Sequence, residues 1–66
     1  MSVIKVIEVL ADSQKSWEDA ASVALKEASK TVKNIKSLYI KEFQAVTENN
    51  QITTYRVNAK ISFLVE

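Results

Sequence analysis

The chain has 66 residues, enough for one small domain, and its nine basic and eight acidic side chains nearly cancel. It contains no Cys, His, Gly or Pro. This composition excludes disulfides, the common zinc sites and glycine-dependent phosphate loops, and it lacks the basic excess of a nucleic-acid binder. We therefore expect a protein that is not an enzyme and has no nucleic-acid partner.

The distribution of apolar residues also bears on location and assembly. No apolar run approaches the roughly 20 residues of a membrane helix, and the first residues lack the apolar segment of a signal peptide. We therefore expect a cytoplasmic protein with no membrane partner. A core is marginal at this size, and with disulfides and zinc excluded, oligomerisation is the leading means of stabilising it.

The first predicted element is a strand over residues 3–10, "VIKVIEVL", which is short and rich in β-branched residues. Apolar side chains alternate on both of its faces. Because one helix could cover only one side of a sheet in so small a domain, both faces of this strand are expected to meet protein.

A helix follows, with Ser13 as the expected N-cap and Ser16 or Asp19 as alternatives. The apolar spacing predicts about six turns, ended by Asn34. The predicted buried stripe consists of Trp17, Ala20, Ala21, Ala24, Leu25, Ala28, Val32 and Ile35. The predicted outer face carries Lys26, Lys30, Lys33 and Lys36 near the C-terminal end, where cations suit the helix dipole.

Two strands, over residues 37–46 and 52–65, are predicted around a turn at "TENNQ". The order β-α-β-β predicts an α+β fold, in which one helix crosses one face of a three-stranded antiparallel sheet. In the last strand the helix-facing side is expected to carry Tyr55, Val57, Ala59, Ile61, Phe63 and Val65. The other side of the sheet would carry Leu38, Ile40 and Val46 beside Arg56 and Asn58, or their out-of-phase neighbours if a bulge intervenes. This mixture of apolar and polar residues is typical of a subunit interface.

The segments "VIKVIEVLADSQKSWEDAASVAL", "TVKNIKSLYI" and "TYRVNAKISF" resemble the dodecins over nearly the whole chain, from about Val3 to Val65. The resemblance implies a single domain over residues 1–66 and a hollow homododecamer that is not an enzyme. It also implies a flavin, FMN or riboflavin, stacked between subunits and stored or buffered there.

The resemblance also implies the ligand-binding positions. Flavin-binding dodecins place a stacking Trp where this chain has Ser37, and a Gln that binds the polar edge of the ring where it has Arg56. An Arg near the cofactor's tail corresponds to Thr53, and Tyr39 could supply an aromatic surface instead. A serine offers no ring and an arginine no hydrogen-bond acceptor, so tight flavin binding in the usual mode is not expected.

Several alternatives remain open for the other candidate residues. Arg56 could form an interfacial salt bridge with an acid such as Glu42, or an anion-binding or pore-lining site. Trp17 is expected in the core and not against a flavin. A divalent cation such as calcium could bind acids from several subunits, drawn from Asp12, Glu18, Asp19, Glu42 and Glu48. The sequence thus favours a small-ligand binding or storage protein, with a flavin buffer or a calcium-binding shell as alternatives.

Overall fold

The computed structural model describes residues 2–65, which form one helix against a three-stranded antiparallel sheet. The elements are β1 (Val3–Ser13), α1 (Trp17–Ala28), β2 (Ile35–Glu48) and β3 (Gln51–Val65). The strand order is β1-β3-β2, so the last strand lies in the centre and the first two form the edges. The predicted α+β class and β-α-β-β order are confirmed.

The helix begins at Trp17 with Ser16, and not Ser13, as its N-cap. The Ser16 hydroxyl accepts a hydrogen bond from the backbone N–H of Asp19 at 2.9 Å. Ser13 ends β1 and is buried; its hydroxyl accepts the backbone N–H of Lys15 at 2.9 Å and donates to the Asp19 carboxylate at 2.6 Å. Ser13 therefore stabilises the turn that connects β1 to the helix.

The helix has 12 residues, about half the predicted length, and ends at Ala28 with Ser29 as its C-cap. The Ser29 hydroxyl bonds the carbonyl of Lys26 at 2.8 Å, and two β-branched residues of poor helix propensity follow it. Asn34 has a left-handed φ of 62°, as a terminator would, but it precedes β2 and does not cap the helix.

The shorter helix moves several predicted positions off its surface. Val32 lies in the connection to β2 and Ile35 begins that strand, so neither belongs to the helical stripe. Of the predicted lysine face, only Lys26 lies on α1. The remaining three lysines follow the helix and enter the start of β2, at residues 30, 33 and 36.

The core lies between α1 and the middle of β3. Its buried apolar residues in the described part of the chain are Ala20, Ala24, Val57, Ala59 and Ile61. The alternation predicted for β3 is confirmed at its centre, whereas Tyr55 and Phe63 are half-buried and Val65 is exposed. Alanine on the helix allows close approach to the sheet but buries little area, so this core is small.

Strand β2 carries irregularities that change which side chains face the helix. Its register with β3 shifts between Ile40 and Glu42, so the two faces exchange at Lys41. Before the shift, Leu38 and Ile40 lie opposite buried residues of β3 and thus on the helix side, so their neighbours in the strand lie on the other side of the sheet. After the shift, Val46 lies on that other side, as predicted for a strand without a bulge.

The β2–β3 hairpin closes through a two-residue turn at Asn49 and Asn50, shorter than the predicted turn at residues 47–51. Both asparagines have positive φ, 53° and 63°, which is the geometry that a tight hairpin of this type requires. Within residues 2–65, the single helix is too short and too polar to cross a membrane.

Candidate ligand-binding face of the sheet

We call the side of the sheet that points away from α1 the open face. Directly paired residues of antiparallel strands share a face, so the register defines its members. They are Ile4, Val6, Glu8, Leu10 and Asp12 of β1, Thr54, Arg56, Asn58, Lys60, Ser62 and Leu64 of β3, and Ser37, Tyr39, Glu42, Gln44 and Val46 of β2. Apolar side chains therefore concentrate on β1, and charged ones run across the middle.

Arg56 forms a two-point salt bridge with Asp12 across β1 and β3. The Nε–Oδ1 distance is 2.7 Å and the Nη2–Oδ2 distance is 3.1 Å. The hydrogen bond from Arg56 lowers the pKa of Asp12, and the same contact raises the pKa of Arg56. The predicted pairing with Glu42 is wrong, because the register of β2 with β3 places Glu42 opposite Asn58 and Gln44 opposite Arg56.

A second ion pair spans the full width of the sheet. Lys41 reaches from β2 across β3 to Glu8 on β1, with an Nζ–Oε2 distance of 3.5 Å. The pKa of Glu8 is lowered, first by a hydrogen bond from Asn58 and then by the charge of Lys41. The Oδ1 atom of Asn58 is buried and has no hydrogen-bond partner among residues 2–65. The two ion pairs thus balance much of the charge on the open face.

Ser37 and Tyr39, two of the predicted ligand-binding residues, lie on the open face beside each other. The Ser37 hydroxyl is hydrogen-bonded to the hydroxyl of Ser62, its partner on β3. Tyr39 lies opposite Lys60 and is 65% exposed. The predicted common face of these two residues is confirmed, and Tyr39 offers the aromatic surface there.

One subunit does not bring the four predicted residues together. Arg56 is six positions along β3 from Ser62, the partner of Ser37, which corresponds to about 20 Å along a strand. Thr53 lies further out, at the irregularity near the hairpin, where its hydroxyl donates to the carbonyl of Val46 at 3.2 Å. A site that used all four positions would need more than one copy of the chain.

The acidic residues do not form a metal site within a subunit. Across residues 2–65, no three carboxylates lie close enough to hold an ion. Asp12 is engaged by Arg56 and Asp19 by Ser13, while Glu18, Glu42 and Glu48 are exposed and lie on different elements. Among residues 2–65, a calcium site built on three or more carboxylates would therefore need more than one subunit.

Trp17 packs at the edge of β2 and not on the open face. Its indole makes edge-on contacts with Tyr55 and Phe43, at ring-centroid distances of 4.9 and 5.8 Å. Its Nε1 donates to the carbonyl of Gln44 at 3.0 Å. Trp17 is half-buried, so it packs on aromatic neighbours but does not lie in the buried core as predicted. Sequence reasoning missed Phe43, which lies on the helix side of β2 and is 65% exposed.

Comparison with known proteins agrees with this architecture. The family model for Dodecin matches residues 3–66. A curated relative, the calcium dodecin of Mycobacterium tuberculosis, is 35% identical over 63 residues, spanning 96% of this chain and 89% of the relative.

Solved structures give the same result. An arginine-to-alanine variant of the Thermus thermophilus dodecin has a TM-score of 0.95 at 26% identity, with 100% of this chain and 98% of that chain covered. The M. tuberculosis calcium dodecin, a calcium-chelating antigen with a novel calcium-binding site, has a TM-score of 0.86 at 32% identity, covering 98% and 93% of the two chains. This chain therefore belongs to the dodecin family.

Proposed function

We propose that this protein is a non-enzymatic dodecin that assembles as a homododecamer and binds a small ligand or ion between its subunits. The main support for this proposal is the open face. On it Ile4, Val6, Leu10 and Tyr39 are 51%, 57%, 67% and 65% exposed in a single subunit. An apolar surface of this kind on a small domain marks a binding site or an interface. The chemistry of that face supports binding.

Calcium is the first ligand to test. A relative that is 35% identical over nearly the whole chain is a calcium dodecin, and exposed carboxylates such as Glu42 and Glu48 are hard oxygen ligands of the kind that Ca²⁺ takes. Symmetry-related copies could gather these ligands even though one subunit does not.

The test is calorimetric titration of the metal-free assembly with Ca²⁺ or Mg²⁺, together with thermal unfolding of the assembly in the presence of each ion. We expect heat of binding and a rise in Tm for Ca²⁺, since a ligand at about 100 times its Kd stabilises the native state by about 2.7 kcal/mol. Glu42→Gln should weaken binding, and Glu27→Gln, on the helix, should not. Neither heat nor a Tm change at millimolar Ca²⁺ would contradict a calcium site.

A flavin is the second candidate, favoured by the exposed ring of Tyr39 on the open face. Stacking on one aromatic ring contributes about 0.5–1.5 kcal/mol beyond the buried area. Ser37 supplies no second ring, and Asp12 already occupies donors of Arg56. We therefore expect weak flavin binding that depends on stacking of the flavin against Tyr39.

Quenching of riboflavin fluorescence tests this candidate. Tyr39→Ala should abolish the quenching, and Phe43→Ala should retain it, because Phe43 is equally exposed but lies on the helix side of the same strand. A preparation that is yellow on purification would show tight binding and overturn the expectation. We further propose a cytoplasmic storage role, which cell fractionation and mass spectrometry of co-purifying small molecules would test.

A further inference from the structure

A groove at one end of the sheet, on the helix side, lies apart from the open face. It has a volume of about 470 Å³, which is in the range of small-molecule sites. We call it the end groove. None of the four predicted ligand-binding residues lines it. Its lining includes Lys5 of β1, Phe63 of β3, and Thr31, Val32, Lys33 and Asn34 of the connection between α1 and β2.

Two lysines from distant parts of the sequence meet at the end groove because of the way the chain enters β2. Asn34, with a φ of 62°, turns the backbone there, and its carbonyl accepts the N–H of Leu64 at 3.0 Å. This hydrogen bond holds the connection, and with it Lys33, against the end of β3. Lys5 lies on β1, opposite Phe63. Lys5 and Lys33 therefore border the same groove from two sides.

The charge of these two lysines is not balanced by an acid within residues 2–65. Neither lysine takes part in the ion pairs found there, and no Asp or Glu of the described chain lines the end groove. Glu27, near the end of the helix, already pairs with Lys30 at 2.8 Å. The carbonyls of the last helical turn accept the N–H groups of residues 29–32, which weakens the negative end of the helix dipole. The end groove is therefore a basic site.

We propose that the end groove binds a small organic anion, with the charged group between Lys5 and Lys33 and the apolar part against Val32 and Phe63. Thr31 supplies a hydroxyl that can donate a further hydrogen bond. A phosphate monoester is the best match, because it carries close to two negative charges at neutral pH and Lys binds phosphate as a point charge. The groove is separate from the open face, so this inference goes beyond the proposed function.

Phenyl phosphate is the probe for this site, since it has both a charged and an apolar part. Its affinity for the assembled wild-type protein is measured at low salt by proton and phosphorus NMR titration, beside inorganic phosphate and phenol. We expect phenyl phosphate to bind at least about fivefold more tightly than either, and more weakly as salt is added. Equal affinity for phenol would show that charge plays no part, and equal affinity for inorganic phosphate would show an adventitious ion only. Either result would overturn the inference.

Two double variants with the same charge change locate the binding. Lys5→Gln with Lys33→Gln removes both charges of the end groove, whereas Lys15→Gln with Lys36→Gln removes two charges from exposed positions outside it. The first variant should weaken phenyl phosphate binding about tenfold or more, and the second should leave it within about twofold of wild type. All four side chains are exposed, so both variants should fold. Equal affinities of the two folded variants would contradict the inference.

The outcomes are distinct from those that test the proposed function. No binding of phenyl phosphate at millimolar concentration would overturn the inference and leave the calcium and flavin tests standing. Binding of phenyl phosphate in the end groove, with no response to calcium or riboflavin, would support the inference and count against the proposed ligands of the open face.

Discussion

At the scale of single residues, the Arg56–Asp12 pair bears on the proposed ligand-binding role of Arg56. It is partly exposed, with side-chain exposures of 33% and 48%, and exposed pairs add little stability. Its effect is on the availability of Arg56, since two of the guanidinium nitrogens already face a carboxylate. An anionic or acceptor-rich ligand would have to compete with Asp12 for them.

The same pair predicts an acid dependence of stability. Arg56 lowers the pKa of Asp12 below its ordinary value of 3.8. The ion pair therefore stabilises the folded state at pH values above the pKa that this carboxyl has in the unfolded chain. This contribution is lost as the pH falls through the lower pKa of the folded state. Asp12→Asn should therefore show a smaller fall in Tm than wild type when the pH is lowered below about 4.

Glu48→Gln is the control for that measurement, because Glu48 lies at the hairpin and has no ion pair in the described structure. It should keep the wild-type acid profile. Identical profiles for Asp12→Asn and wild type would show that the pair does not act on folding.

Trp17 gives a second prediction at this scale. Trp17→Phe keeps an aromatic ring near Tyr55 and Phe43 but removes the hydrogen bond to the Gln44 carbonyl. The free energy of unfolding in urea, at fixed protein concentration, should fall by about 1 kcal/mol. Trp17→Ala should cost more, about 3 kcal/mol, because it also removes the packed rings. Equal losses would mean that the hydrogen bond, and not packing, holds the indole.

At the scale of elements, the β2–β3 hairpin depends on two asparagines with left-handed backbone angles. Asn50→Ala removes the polar side chain that lets asparagine tolerate a φ of 63°, and should destabilise the fold by about 1 kcal/mol, whereas Asn50→Gly should be neutral or stabilising. Thermal unfolding of the two variants measures the difference. If alanine and glycine behaved alike, the turn would not be under this backbone constraint.

The elements also show where sequence reasoning succeeds. The centre of β3 was predictable because its alternation runs unbroken and its helix-facing residues are buried. The helix was predicted too long because the apolar spacing continues through Val32 and Ile35 after the backbone has left the helix at Ala28. The periodicity shows only which residues are apolar. The helix ends earlier because Ser29 caps it and β-branched residues of poor helix propensity follow.

The candidate site was predictable only in part. Ser37 and Tyr39 share a face because they are two apart on a strand, which sequence alone conveys. The partner of Arg56 depends on the strand order: β1 lies beside β3 and extends to Ser13, which brings Asp12 into register with Arg56. The strand order leaves no clear local pattern in the sequence, so Glu42 was predicted instead.

At the scale of the whole molecule, a single subunit is thin and elongated. Its extents are 51 × 19 × 13 Å and its radius of gyration is 13.5 Å, against about 11 Å for a compact domain of this length. Of the five buried apolar residues within residues 2–65, three are alanines. Much of the apolar surface on β1, β2 and the hairpin is left uncovered. These features agree with a subunit that is stabilised by association.

The most direct test of this account is the mass of the native particle. Size-exclusion chromatography with light scattering, at micromolar protein and neutral pH, should give twelve times the subunit mass of 7.4 kDa. A monomer or dimer with the circular dichroism of the folded protein would contradict the proposal that the open face is covered by further copies of the chain.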